Sequence, residues 1–332
     1  MIDSAPPTVR IQHHQEPPLS GPRRVIITVT PNAALDVTYV VDALTPHTSH
    51  RVLSVNERAG GKGVNVASVL ASRGYAVLVS GCAPGTTGAQ IRSDLVARNL
   101  AHSFARSEGE ARRTLTVVSN SEGDATVFNE PGPTQSPAVW PAFLEHLEHL
   151  LDAESATVVV LSGSLPLGFP VDGYAQMVTL CRGAGAQVIL DADGEPFRQG
   201  LAAGPDLIKP NRLELAAATG IDEPELGVAA LRAMGARDVV VSAGPDGLTW
   251  YATDGTVVHA RLDVSLHGNP TGAGDALVAA LAAGMAAGRA RDDVVREAVA
   301  WSAAAVLQSV AGVVNSNDIS RLEKRTLVRV DR

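Results

Sequence analysis

From Val25 onward, short unbroken apolar runs alternate with longer stretches whose apolar residues recur at helical spacing. The unbroken runs are Val25–Val29, Ala76–Val79, Thr157–Leu161, Gln187–Leu190 and Asp238–Val241. None alternates polar with apolar, as a strand covered on both faces requires. Between them the spacing predicts helices over Val64–Arg73, Ile91–Leu100, Leu144–Leu151, Tyr174–Arg182 and Leu213–Thr219. Gly74, Gly183 and Gly220 follow three of these, where a left-handed residue ends a helix. Strand and helix in regular alternation predict an α/β fold, a mostly parallel, doubly wound sheet.

Two segments break that rhythm. Val37–Val41 with Arg51–Arg58, and Thr114–Ser119 with Thr126–Asn129, carry one polar and one apolar face. Asn120 to Asp124 form a turn cluster between the second pair. These strands predict a small separate sheet, around residues 37–58 and 112–129, hung over the main one as a lid. Residues 1–22 are rich in proline among polar residues and predict a disordered tail before a single domain over 23–332.

The chain has 332 residues, of which 45% are hydrophobic but only 4% aromatic, so its core must be built mainly from Val, Leu, Ala and Ile. The net charge of −8 argues against a nucleic-acid binder. It also means that an anionic substrate needs cations gathered locally. Lysine occurs only at Lys62, Lys209 and Lys324. Cys82 and Cys181 stand far apart with no metal-ligand spacing and read as buried apolar residues. The N-terminus lacks a signal pattern, and Ala276–Ala287 and Ala298–Val314 fall short of a membrane span. A soluble, cytoplasmic protein without membrane contact is expected.

Three glycine-marked segments carry the candidate chemistry. Gly272-Ala273-Gly274-Asp275 opens an apolar helix. Small residues there let a phosphate reach free backbone N–H groups, and the helix dipole favours its charge. Asp275 in the first turn can accept a proton from an incoming hydroxyl, or merely stabilise the helix end. Gly60-Gly61-Lys62-Gly63-Val64-Asn65 opens another helix. It lacks the spacing of a Walker A loop. Its glycines suit close backbone contact with a small polar molecule, Asn65 can bond hydroxyls, and an ordinary tight turn is the alternative. Lys209-Pro210-Asn211-Arg212-Leu213-Glu214 follows a short strand. Asn211 and Glu214 share a helix face and can order waters around Mg²⁺. They can equally form a capping box, and the two roles are compatible.

These segments, in this order, resemble the ribokinase-like pfkB sugar kinases from about residue 24 onward. Thr30-Pro31-Asn32-Ala33-Ala34-Leu35-Asp36 resembles the opening strand and its substrate aspartate. Gly60 to Asn65 resembles the first signature, Asn211 to Glu214 the Asn-x-x-Glu element, and Gly272 to Asp275 the anion hole and catalytic base. Asn129 to Pro133, Leu161 to Pro166 and Ile208 to Asn211 are nearest the branch of 1-phosphofructokinase and tagatose-6-phosphate kinase. There are departures. Ala33 stands where the family usually has proline, and Ala111 precedes Arg112 where it has threonine. His267-Gly268-Asn269-Pro270-Thr271 alters the loop that borders nucleotide or a monovalent cation, and Pro270 removes an N–H there. A monovalent cation is left open.

The resemblance implies in-line transfer from MgATP to a sugar hydroxyl. Asp275 would be the base, with N–H groups of Gly272, Ala273, Gly274 and Asp275 around the phosphoryl group. Asp36, Gly61, Lys62, Asn65 and Arg112 would hold the sugar. Lys209, Asn211, Glu214, Ser242 and Gly244 would lie at the nucleotide, with Asn211 and Glu214 placing magnesium through water. A phosphorylated ketohexose is expected, fructose 1-phosphate before tagatose 6-phosphate, with 6-phosphofructokinase as an alternative. Lys62 and Arg112 are the phosphate-anchor candidates, Arg51 and Arg113 less direct ones. A non-catalytic sugar-binding regulator and a nucleoside kinase are the rivals. Two lids pairing in a homodimer would cover the exposed face of so small a sheet. His13, His14, His146 and His149 read as solvated. His102, His259 and His267 have no partner evident in sequence, and Arg289 and Arg291 read as helix caps.

Overall fold

The computed structural model describes residues 25–121 and 123–331. The expected tail over 1–22 lies outside the described residues. Ten strands form the large sheet, in spatial order β14 (Thr326–Asp331), β13 (Val257–Leu262), β12 (Leu248–Tyr251), β11 (Asp238–Ser242), β10 (Leu207–Ile208), β9 (Gln187–Asp191), β8 (Ala156–Ser162), β1 (Val25–Thr30), β4 (Val77–Cys82) and β5 (His102–Ala105). Pairing is parallel from β11 through β5 and antiparallel from β11 to β14.

The unbroken apolar runs are explained by two cores, one on each face. Ile26, Val158 and Val160 point into the first, against α1 (Lys62–Ser72), α2 (Gly85–Ala97), α8 (Ala273–Ala287), α9 (Arg291–Val306) and α10 (Ser316–Glu323). Ile27, Val159 and Leu161 point into the second, against α3 (Val139–Glu154), α4 (Gly173–Gly183), α5 (Gly194–Leu201), α6 (Arg212–Thr219) and α7 (Pro224–Ala233). Each fully buried Val, Leu or Ile contributes roughly 1.5–3 kcal/mol. The shortage of aromatics is met by close helix approach. A Cβ at Gly284 of α8 would lie 2.4 Å from Val294 of α9, so the two helices touch through small residues. Cys82 and Cys181 are buried free thiols, as expected.

The four strands expected to form a lid make their own sheet, in the order β3 (Ser54–Gly60), β2 (Ala34–Val41), β6 (Arg112–Ser119), β7 (Asp124–Asn129). Its outer pairs are antiparallel and its central pair, β2 with β6, is parallel. The strand expected from Arg51 begins at Ser54 instead. Gly74 and Gly220 adopt the left-handed conformation after α1 and α6, whereas α4 runs through Gly183 and turns at Gly185. Sequence pattern missed β5, β12 to β14, α5, α7, α9 and α10. Most of these elements are short or lie at the sheet's margins, where period is hardest to read; α9 is long, but only its second half stood out, as part of the apolar stretch from Ala298.

Candidate active site

The C-terminal ends of the parallel strands gather the glycine-marked segments along one edge. Gly272 caps α8 with φ +83°, and a Cβ there would lie 2.8 Å from the Ala311 side chain. Only glycine allows both that conformation and that approach. Three residues on, Asp275 is 8% exposed and accepts a 2.9 Å hydrogen bond from Asn65 Nδ2. Burial, then the nearby charge of Asp191, pushes its carboxyl up from 3.8 to about 6, against Asn65, Lys62 and Lys209. The Ala273 N–H donates to Pro270 O, while no backbone acceptor from outside the helix takes the Gly274 or Asp275 N–H among the described residues. These are first-turn donors, which a helix cannot satisfy by itself.

Asp191, at the end of β9, organises the cations beneath this helix. Its side chain is 1% exposed, and its Oδ1 lies 3.2 Å from Lys209 Nζ and 3.5 Å from Lys62 Nζ. Burial opposes the Asp191 charge, but Lys209 and then Lys62 hold its carboxyl below the ordinary range. Burial likewise opposes charge on Lys62, which Asp191, Glu214, Asp275 and Asp193 together keep firmly protonated. Lys209 Nζ sits 3.4 Å from where a Cβ on Gly274 would be, directly at the first turn of α8. The sequence reading missed Asp191. The available signal was Asp191-Ala192-Asp193 directly after an apolar run, at the end of a parallel strand where ligands bind.

The other half of the edge lies at the root of the small sheet. Asp36 of β2 pairs with Arg58 of β3 and its side chain leans over Gly60, where a Cβ would fall 2.0 Å from Asp36 Oδ2. Burial raises the Asp36 carboxyl from 3.8 to about 6, against a Thr114 hydrogen bond and the charges of Arg112 and Arg58. Arg112 donates from Nε to Asn32 O at 3.0 Å and from Nη1 to Glu130 O at 3.4 Å. Two carbonyls thus fix the plane of its guanidinium, leaving other donors of its five unspent. Asn32 Nδ2 in turn bonds Pro131 O and Ser164 Oγ, tying three loops together. Arg58, which the sequence reading did not single out, donates to Gly312 O and acts on the same Asp36.

The sequence candidates therefore fall into two groups. Lys62 lies with Asp191 and Asp275, whereas the carboxylates acting on Arg112 are Asp36 and Glu130. Arg51 is exposed before β3, and Arg113 is exposed beside a cleft of about 640 Å³ that Arg112 also lines. At the far end, Asn211 and Glu214 form the capping box: Asn211 Oδ1 accepts the Glu214 N–H and Glu214 Oε2 accepts the Asn211 N–H, each at 2.8 Å. Ser242 bridges to Asn211 at the end of β11, and Gly244 opens the turn that follows.

Several bland readings change. His146 is half-buried on Ser103 O, and His259 pairs with Asp331 and Thr249. His102 bonds Leu100 O, and His267 is exposed. His13 and His14 lie outside the described residues. Arg289 pairs with Glu297, and Arg291 with Asp238 and Asp254, so neither side chain caps a helix. No group of three or more potential metal-binding His, Cys, Asp or Glu side chains occurs among the described residues. No helix among them is long and apolar enough to cross a membrane.

A buried carboxylate and unspent N–H groups share a helix N-terminus, with two ammonium groups beneath, at the ligand-binding edge of a doubly wound sheet. That arrangement suits an anionic group such as a phosphoryl group in transfer, a reaction in which positioning and charge carry the catalysis. Residues 28–318 match the pfkB family carbohydrate kinase, and the chain belongs to that family. It is thus an ATP-dependent sugar kinase with the divalent-metal use that such transfer entails. It is 39% identical over 268 residues to a 1-phosphofructokinase of Xanthomonas campestris pv. campestris, covering 78% of this chain and 83% of that one. Among solved structures, phosphofructokinase-2 of Escherichia coli in complex with potassium superposes with TM-score 0.83 at 25% identity, over 90% of this chain and 98% of that one. Arabidopsis thaliana ribokinase shares the fold, with TM-score 0.71 at 20% identity over 91% and 99%.

Proposed function

We propose that the chain is a 1-phosphofructokinase, transferring the γ-phosphoryl group of ATP to a hydroxyl of fructose 1-phosphate. The likeness to the Xanthomonas enzyme favours this ketohexose phosphate over tagatose 6-phosphate and fructose 6-phosphate. The observation that carries a phosphorylated acceptor is the Arg112 guanidinium, oriented by two carbonyls beside Asp36 with donors to spare. Arginine presents paired donors to phosphate. Arg58, across Asp36, supplies the second cation at that end, in place of Lys62.

Asp36, Gly61 and Asn65 hold the sugar hydroxyls. Asp275 takes the proton of the attacking hydroxyl at its carboxylate, and Asn65 fixes the orientation of that carboxylate. Burial suits Asp275 to the role, because a base titrating at about 6 is ionised at neutral pH yet more basic than an exposed aspartate. The Gly274 and Asp275 N–H groups and the ammonium groups of Lys62 and Lys209 receive the phosphoryl oxygens. Ser242 and Gly244 border the nucleotide. The capping box leaves Glu214 Oε1 free, so the donor set fits magnesium held through water by Glu214 and Asn211. Bound there, magnesium would neutralise nucleotide phosphate charge.

The small sheet covers the sugar as a lid. Val55, Val127 and Phe128 are exposed on it, which supports pairing of two lids in a homodimer. Phosphofructokinase-2 of E. coli has a tetrameric inhibited form, so assembly has a precedent at this fold. Supply of ATP places the work in the cytoplasm, which cell fractionation tests. The substrate is tested by kcat/KM for fructose 1-phosphate, fructose 6-phosphate and tagatose 6-phosphate. Fructose 1-phosphate is expected to lead by at least about tenfold, and either rival in first place overturns the assignment.

A further inference from the structure

The segment His267–Thr271 departs from the family pattern where the family borders nucleotide or a monovalent cation. A cation held between protein loops needs carbonyl oxygens that converge without donors of their own, because they must replace its water shell. The loop pairs here with the one after α9. Asn269 N–H donates to Val306 O at 2.9 Å, and Asn269 Nδ2 donates to Ser309 O at 3.3 Å. Asn269 Oδ1 accepts the Thr271 N–H at 3.0 Å, which fixes the amide so that its nitrogen faces Ser309. Pro270 O is taken by the Ala273 N–H at 3.1 Å.

The contact is also closed sterically. A Cβ on Gly268 would lie 2.1 Å from Val306 O, and one on Gly272 would lie 2.8 Å from the Ala311 side chain. Gly312, two residues past Val310, packs on Asn65, the partner of Asp275. One amide side chain therefore staples the 268–272 loop to the 306–312 loop, and through them fixes the start of α8. Val306 O, Ser309 O, Asn269 Oδ1 and Pro270 O thus already hold N–H donors, and an amide nitrogen points into the junction, so these residues do not fit a monovalent cation.

We propose that Asn269 is a positioning residue that replaces a monovalent cation at this junction, so that turnover by this chain does not depend on potassium. The turnover half rests on the kinase reading above; the binding half does not. The test measures kcat and Tm for the whole chain at matched ionic strength in potassium, sodium and tetramethylammonium chloride. For the unaltered protein, kcat is expected to agree within about twofold across the three salts, with no potassium-specific rise in Tm. Asn269→Asp removes the amide donor, frees Ser309 O and adds a carboxylate. This variant is expected to lose turnover about tenfold in tetramethylammonium and recover it in potassium, with a Tm that rises in potassium alone. Asn269→Ala loses turnover without recovery by any salt.

An unaltered protein whose kcat falls tenfold without potassium, or whose Tm rises with potassium alone, overturns the proposal. So does an Asn269→Asp variant indifferent to potassium in both readouts. If no sugar is phosphorylated in any salt, the kinase reading fails, and the Tm series still decides whether the ion binds.

Discussion

Replacing Asp275 by asparagine separates catalysis from folding, because the two should move in opposite directions. The substitution keeps the shape and an oxygen that can accept from Asn65 Nδ2, now 2.9 Å from the carboxylate. It removes the proton acceptor, so kcat should fall by at least about a hundredfold, the usual scale for losing a general base. Stability should not fall with it. The folded carboxyl titrates at about 6 rather than 3.8, so its favourable contribution is full below 3.8 and is lost as pH rises through about 6. Above that the ionised group costs the fold up to roughly 3 kcal/mol, at about 1.4 kcal/mol per pH unit. The neutral variant should therefore melt at an equal or higher temperature at pH 8, and this advantage should vanish near pH 4. In the unaltered enzyme, kcat/KM should decline about tenfold per pH unit below about 6, as the base of the free enzyme is protonated. An ADP-release assay across pH and a melting series read both effects. Near-normal turnover in a folded variant, or an acid limb near 4, would refute the role given to Asp275.

Gly60→Ala should raise KM for the sugar at least tenfold with little loss of folded protein, because its Cβ would strike Asp36 Oδ2 at 2.0 Å; an unchanged KM removes Asp36 from sugar binding. Val55→Asp with Phe128→Glu places charge on the exposed lid face and should convert a dimer to a monomer in light scattering. A native chain that is already monomeric at working concentration defeats the lid pairing.

The fold was legible because its central strands are buried on both faces. Runs such as Val25–Val29 must then be apolar throughout, and their spacing between helical segments leaves few topologies. The small separate sheet was legible because Thr114–Ser119 and its neighbours alternate. The margins were not: β12 is only four residues long, and β13 and β14 pair antiparallel and are only partly covered, so their pattern resembles that of the small sheet. Asp275, Asn65 and the glycines were singled out from helix-start chemistry, and the fold brings Asp275 and Asn65 together. Asp191 escaped notice because its importance lies in which lysines it meets. Lys62 and Lys209 are 147 positions apart in sequence and share one carboxylate oxygen only in the folded chain. Lys62 was expected beside Arg112 for a related reason. Glycine signatures mark where a segment turns, and the side chain's direction depends on carboxylates from β9 and α6. Pro270 was visible as a departure, but the use of Asn269 required the loop after α9 beside it.

The central claim is that the acceptor carries a phosphate and that Arg112 holds it. The measurement that tests it most directly is kcat/KM for fructose 1-phosphate and for free fructose, in the native chain and in Arg112→Ala. A charge-assisted bond to a phosphate is worth roughly 1.5–3 kcal/mol, or about ten- to a hundredfold. The native chain should prefer fructose 1-phosphate strongly, and Arg112→Ala should lose about ten- to a hundredfold on it while free fructose changes by less than about threefold. A native preference for the free sugar, or an equal loss on both sugars, would contradict the account.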